Sequence, residues 1–264
     1  MNTSKQTDLK SPRKIAGFAH RHFDIVFPPD TRTRVENTTQ VPWNSIGQVR
    51  MKFPNDKYYT GSATLIDSKH LLTAAHNVYG KTIGGDAVEV TFMPGRNGNE
   101  LPYGIAPVAR WFFPPQYRAL DIESPLETEE VLDDLSQYEY DYAVLRLAEP
   151  LSLPPFGLLA ASDEELERHH VRITGYPGDK IGEEKGTMWT AAGKVAPAEH
   201  GLLRYKIDTY KGESGSSLAM RPDEVDGVFS VGVHVAGSEE RDANFAVRLT
   251  SDRIARIIEW QQSL

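Results

Sequence analysis

The chain has no cysteine among its 264 residues, which excludes disulfide bridges, thiolate metal sites and a cysteine nucleophile together. No apolar run approaches the ~18 residues that a membrane-crossing helix needs, so no membrane partner is expected. A long basic stripe is also missing. With a net charge of -8, the composition argues against a nucleic-acid partner. Met1 to His22 carries Lys5, Lys10, Arg13 and Lys14 but no apolar stretch, so it does not read as a signal peptide. None of the eight histidines, His20, His22, His169 and His170 among them, stands in metalloprotease spacing, and no metal or other cofactor is expected. Internal repeats and low-complexity segments are absent as well.

What is present is an ordinary globular composition, 39% hydrophobic and 25% charged, with enough chain to bury a core without staples. Residues 1–40 form a polar arm with Pro12, Pro28 and Pro29 and little periodicity. From Ser45 onward short β-like runs recur: Ile46–Met51, Ser62–Ile66, Val88–Phe92, Val108–Phe112, Tyr142–Leu147, Val171–Gly175, Leu203–Ile207 and Val228–Val235. Pro94-Gly95, Asn97-Gly98 and Pro177-Gly178 break them as tight turns, with glycine supplying positive φ. Many short strands and few helices predict an all-β sandwich or barrel. Leu120 to Tyr138 reads as an acidic surface insertion or short helix, and Glu164–His169 as a helical turn. Thr250 or Ser251 caps a final helix with Ile254, Ile257 and Ile258 on one face.

Three segments carry possible chemistry. An apolar strand ends in Thr73-Ala74-Ala75-His76; Asp141 leads directly into an alternating strand; and Ser214 stands in the glycine-flanked turn Gly212-Glu213-Ser214-Gly215-Ser216. A serine hydroxyl is a weak nucleophile unless a base removes its proton. Histidine suits that task, and a buried aspartate would hold its tautomer. Backbone N–H groups of Gly212 and Ser214 are candidates for an oxyanion hole. Each segment alone is commonplace, a core histidine, a turn aspartate or a loop serine; together, in this order, they are specific. The order His, Asp, Ser and the missing β/α alternation exclude the α/β-hydrolase fold.

With these segments the chain resembles the chymotrypsin-like serine proteases, and more narrowly the V8-like glutamyl endopeptidases. The narrower likeness rests on Arg32-Thr33-Arg34-Val35-Glu36-Asn37-Thr38-Thr39, Pro94-Gly95-Arg96-Asn97-Gly98, Thr174-Gly175-Tyr176-Pro177-Gly178-Asp179-Lys180 and Asp208-Thr209-Tyr210. The resemblance implies two six-stranded antiparallel β-barrels, 41–150 and 151–264, the second followed by the helix. It implies a secreted, monomeric endopeptidase acting on protein or peptide, with His76, Asp141 and Ser214 as triad, while the missing signal peptide keeps a cytoplasmic location as the alternative. Thr209 and His234 would then read an acidic P1 side chain. Asp208 offers a rival, a basic P1 pocket, and an inactive binding protein on the same fold is the third reading. Glu213, where the V8-like branch carries an amide, is either solvated or locally paired, or engaged by an N-terminal amine. Such enzymes place the mature N-terminal amine in the pocket, so residues 1 to about 33 are expected to be a pro-segment cut near Arg34-Val35.

Overall fold

The computed structural model describes residues 24–120, 135–223 and 225–263. The readings made on Met1 to His22, with His20, and on most of Leu120 to Tyr138 lie outside those residues. The chain runs through an arm strand β1 (Thr33–Arg34), then β2 (Ile46–Lys52), β3 (Tyr58–Leu65), β4 (His70–Thr73), β5 (Tyr79–Gly80), β6 (Gly85–Asp86), β7 (Glu89–Pro94), β8 (Ala106–Phe112) and β9 (Ala143–Leu147). Strands β2-β3-β4-β9-β8-β7 close into an antiparallel barrel, and β5 and β6 form a separate ribbon. Period-two alternation accounts for the closure. On β9, Ala143, Leu145 and Leu147 face the barrel interior, while Val144 faces outward. On β4, Leu71 faces in and Leu72 out.

The outward residues are not wasted on solvent. Leu72 and Val144 join Val233, Val235, Phe245 and Val247 in a second cluster that spans the seam to the other sheet. That sheet is built from β10 (Gly157–Leu158), β11 (Val171–Gly175), β12 (Trp189–Gly193), β13 (Val195–Ala198), β14 (Leu202–Tyr205), β15 (Ser217–Met220), β16 (Phe229–Ser238) and β17 (Ala243–Arg248), with β1 added. Its nine strands run β1-β12-β11-β15-β16-β17-β14-β13, with β10 parallel to β16. The second unit therefore curls without forming a closed ring. The reason lies at β12, whose outer edge is paired with the arm, Thr33 opposite Thr190 and Arg34 opposite Trp189, and so is not open to β13.

Among the described residues three α-helices accompany the strands: α1 (Pro115–Ala119), α2 (Asp163–Arg168) and α3 (Ser251–Gln262). A capping box of Ser162 and Glu165 starts α2, and the Thr250 hydroxyl accepts the Arg253 N–H to start α3. On α3 Ile257 is fully buried and Ile254 half-buried against the seam, but Ile258 is exposed. Trp260 packs on the seam in place of Ile258, its ring 5.8 Å from the Tyr142 ring and stacked on Phe112. Gly95 and Gly98 have positive φ as expected, whereas Gly178 does not. Gly178 is needed for close approach instead: a Cβ there would lie 2.9 Å from the Lys211 carbonyl.

Candidate active site

Strand register explains how distant residues meet. In the β4–β9 ladder Thr73 faces Ala143. Continued past the strand ends, the same antiparallel pairing sets Asp141, two residues before Ala143, beside the turn Ala75–Asn77 that carries His76. The Asp141 carboxylate accepts two bonds from His76, from its backbone N–H at 2.9 Å and from ring Nδ1 at 2.7 Å. Both side chains are buried. A carboxylate in this contact only accepts, so Nδ1 holds the proton and Nε2 presents a lone pair. One carboxylate thus fixes both the position and the tautomer of the imidazole.

Ser214 belongs to the other sheet. In the β15–β16 ladder Ser217 faces Val233, and the pairing runs on, with the His234 N–H donating to Ser216 at 2.9 Å and the Gly215 N–H donating to His234 at 2.8 Å. This holds Ser214 across the seam from His76. Asn77, the residue after His76, donates through Nδ2 to the Ser214 carbonyl at 3.0 Å, and the Ser62 N–H donates to it at 2.9 Å. Glycine is obligatory on both sides of the turn. A Cβ on Gly215 would lie 2.1 Å from the Thr73 hydroxyl, and one on Gly212 2.6 Å from the Tyr176 carbonyl; both have positive φ. The N–H groups of Gly212 and Ser214 have no acceptor among the described residues. They border a cleft of about 390 Å³ lined also by Tyr58, Thr60 and Tyr210.

Beyond the Ser214 turn, His234 and Thr209 are both fully buried. Tyr205 reaches across β17, its hydroxyl 2.6 Å from His234 Nδ1 and 3.1 Å from the Phe245 carbonyl. The opposite nitrogen, Nε2, lies 3.0 Å from the Asp24 carboxylate of the arm. The Thr209 N–H donates to the Ile25 carbonyl at 3.2 Å, while its hydroxyl is buried with no partner among the described residues. His234 and Thr209 therefore converge on the dipeptide Asp24-Ile25.

Asp208 turns away from that pocket. Its two oxygens accept from the Phe27 N–H at 2.6 Å, the Thr31 N–H at 2.7 Å and the Thr31 hydroxyl, which ties the arm down. Glu213 is locally paired, its carboxyl accepting the Tyr210 N–H at 2.9 Å, and the Arg32 guanidinium of the arm stands 3.7 Å away. Burial pushes the Glu213 carboxyl up to about 8 in spite of that cation. Arg32 also holds Asp30 and Asp179, and its hydrogen bond lowers Asp30 to about 2. Sequence reasoning missed Tyr205, Arg32, Asp24 and Asn77. Only Asn77 had a local signal, its place next to His76.

Comparison with known proteins agrees with this geometry. Residues 61–228 match the family described as the trypsin-like peptidase domain. The chain is 31% identical to a glutamyl endopeptidase of Bacillus licheniformis, over 99% of this chain and 75% of that one. It is 27% identical to an extracellular metalloprotease of Bacillus subtilis, over 88% of this chain and 68% of that one. The metal in that name belongs to that relative; this sequence has no His-Glu-x-x-His run. Among solved structures, a Glu endopeptidase in complex with MPD superposes with a TM-score of 0.71 at 25% identity, covering 90% of this chain and all of that one.

Proposed function

The chain belongs to the trypsin-like peptidases, on the branch of the glutamyl endopeptidases, and from that premise we propose how its residues perform the work of a serine endopeptidase with acidic P1 preference. The observation that carries the assignment is the grip of the Asp141 carboxylate on both the backbone and the ring of His76. With Nδ1 protonated, Nε2 accepts the Ser214 proton as Oγ attacks the scissile carbonyl. The two N–H groups without internal acceptors, Gly212 and Ser214, stabilise the oxyanion. His76 then hands its proton to the leaving amine, and water, activated by the same imidazole, releases the acyl group.

His234 and Thr209 read the substrate carboxylate. A desolvated carboxylate needs donors, and an imidazole Nε2 with an unpartnered hydroxyl provides two. Asp208, the acid that a basic pocket would need, spends its oxygens on the arm. The enzyme acts on proteins or peptides; we read it further as a secreted monomer that needs neither nucleic acid nor cofactor. The test is hydrolysis of peptide p-nitroanilides ending in Glu, Asp, Gln, Lys or Phe, with Ser214→Ala as the blank. Cleavage after Glu, lost by about 10⁶-fold in the blank, is expected. Cleavage after Lys instead would return the pocket to Asp208 and reject the acidic reading.

A further inference from the structure

The acid-reading pocket of the intact chain already holds a carboxylate. Asp24 places its Oδ1 3.0 Å from His234 Nε2, and its side chain is only 7% exposed. The contact spans 210 residues of sequence, so local chain geometry does not impose it. The next residue is fastened on both sides: the Ile25 N–H donates to Asn244 Oδ1 at 2.8 Å, while its carbonyl accepts from Asn244 Nδ2 at 2.9 Å and from the Thr209 N–H. Further along, Asp208 holds Phe27 and Thr31, and Arg32 is buried among Asp30, Asp179 and Glu213.

From this arrangement we infer that Asp24 is a built-in occupant of the P1-carboxylate site, and that the peptide bond after it is where the chain is processed. The inference rests on the reading of His234 and Thr209 given above. An incoming glutamate must displace a tethered carboxylate from the same imidazole, so the intact chain competes with its own substrate. Hydrolysis of the Asp24–Ile25 bond, with water supplying OH to the Asp24 carbonyl and H to the Ile25 nitrogen, removes the occupant. It also satisfies the specificity of the pocket, because the residue on the acyl side is acidic. Every anchor from Ile25 onward survives that cut. A cut near Arg34-Val35 would instead strip Arg32 from Glu213 and β1 from the edge of β12, so the boundary expected from the sequence moves upstream to Asp24.

The test uses the full chain carrying Ser214→Ala, which cannot process itself, with and without Asp24→Ala. Calorimetry measures binding of a tetrapeptide ending in glutamate and of its glutamine counterpart. Asp24→Ala is expected to bind the glutamate peptide at least tenfold tighter and the glutamine peptide no differently. Equal glutamate affinity in both chains, with glutamate still preferred over glutamine, would overturn the occupancy while leaving the pocket reading intact. No preference for glutamate in the Asp24→Ala chain would overturn both. If Asp24→Ala fails to fold in a thermal scan, Asp24→Asn keeps the shape and removes the charge, with a smaller gain of the same sign expected. Mass spectrometry of the active wild-type enzyme adds a second readout. An N-terminus at Ile25 is expected, and a full-length species as active as the trimmed one would overturn the proposal.

Discussion

The closed first barrel and the open second sheet solve different problems. The first pairs every strand within itself, and its ladder brings His76 and Asp141 together through contacts that need nothing from outside the barrel. The second leaves the edge of β12 to the arm, and its pocket meets arm residues at His234, Thr209, Asp208 and Asn244. The His76–Asp141 pair belongs to the self-sufficient half, whereas the Ser214 turn, His234 and Thr209 belong to the half whose completion depends on the chain's own N-terminal segment.

The Arg32–Glu213 pair is the sharpest place to break that contrast, since it couples the arm to the residue before Ser214. Arg32→Ala removes the buried guanidinium from three carboxylates and is expected to cost about 3 kcal/mol or more in chemical denaturation. Adding Glu213→Gln should return part of that loss. The pH dependence has a definite sign. Glu213 is raised from 4.5 to about 8 on folding, so its contribution is fully present below 4.5 and is lost as pH rises through 8. Stability of the wild type should fall across that window, by at most about 1.4 kcal/mol per pH unit. Glu213→Gln should flatten the slope; an unchanged slope would place the titration elsewhere.

A smaller effect separates the pocket from the scaffold. The Thr209 hydroxyl is buried without a partner among the described residues, which is costly for folding and useful only to a ligand. Thr209→Val is expected to stabilise the fold by about 1 kcal/mol. The same change should lower kcat/KM for glutamyl substrates about tenfold or more, the worth of one hydrogen bond to a charged group. Loss of stability together with unchanged activity would assign the hydroxyl to the scaffold.

The Ser214 turn, His76 and Asp141 were legible because each sits in a short run whose residue types are demanded by local backbone, such as Gly212 and Gly215 at positive φ. The first barrel was legible through its short β-like runs, among them the alternating strand β9 that follows Asp141. What escaped had no local mark. Strand β13 contains Pro197, which reads as a break, yet β13 lies at the sheet edge, where a missing donor is tolerated. Strand β17 is buried on both faces, Phe245 and Val247 to one cluster and Ala246 to another, so it lacks the alternating pattern of a half-exposed strand. Strand β12, with small residues at Ala191, Ala192 and Gly193, has little β-propensity of its own. Asp24 and Tyr205 acquire meaning only when tertiary structure brings them to His234. Ile258 shows the converse: a correct helical period does not say which side of the stripe the sheet covers.

The most direct test of the division of labour compares Asp141→Asn with His234→Phe on paired substrates ending in Glu and Gln, in chains trimmed to Ile25. The account predicts that Asp141→Asn lowers kcat for both substrates by about 10⁴-fold and keeps their ratio. It predicts that His234→Phe collapses the Glu-to-Gln ratio of kcat/KM while cleavage after Gln persists. If Asp141→Asn changed the ratio, or His234→Phe silenced both substrates equally, proton transfer and recognition would not be divided between the two halves.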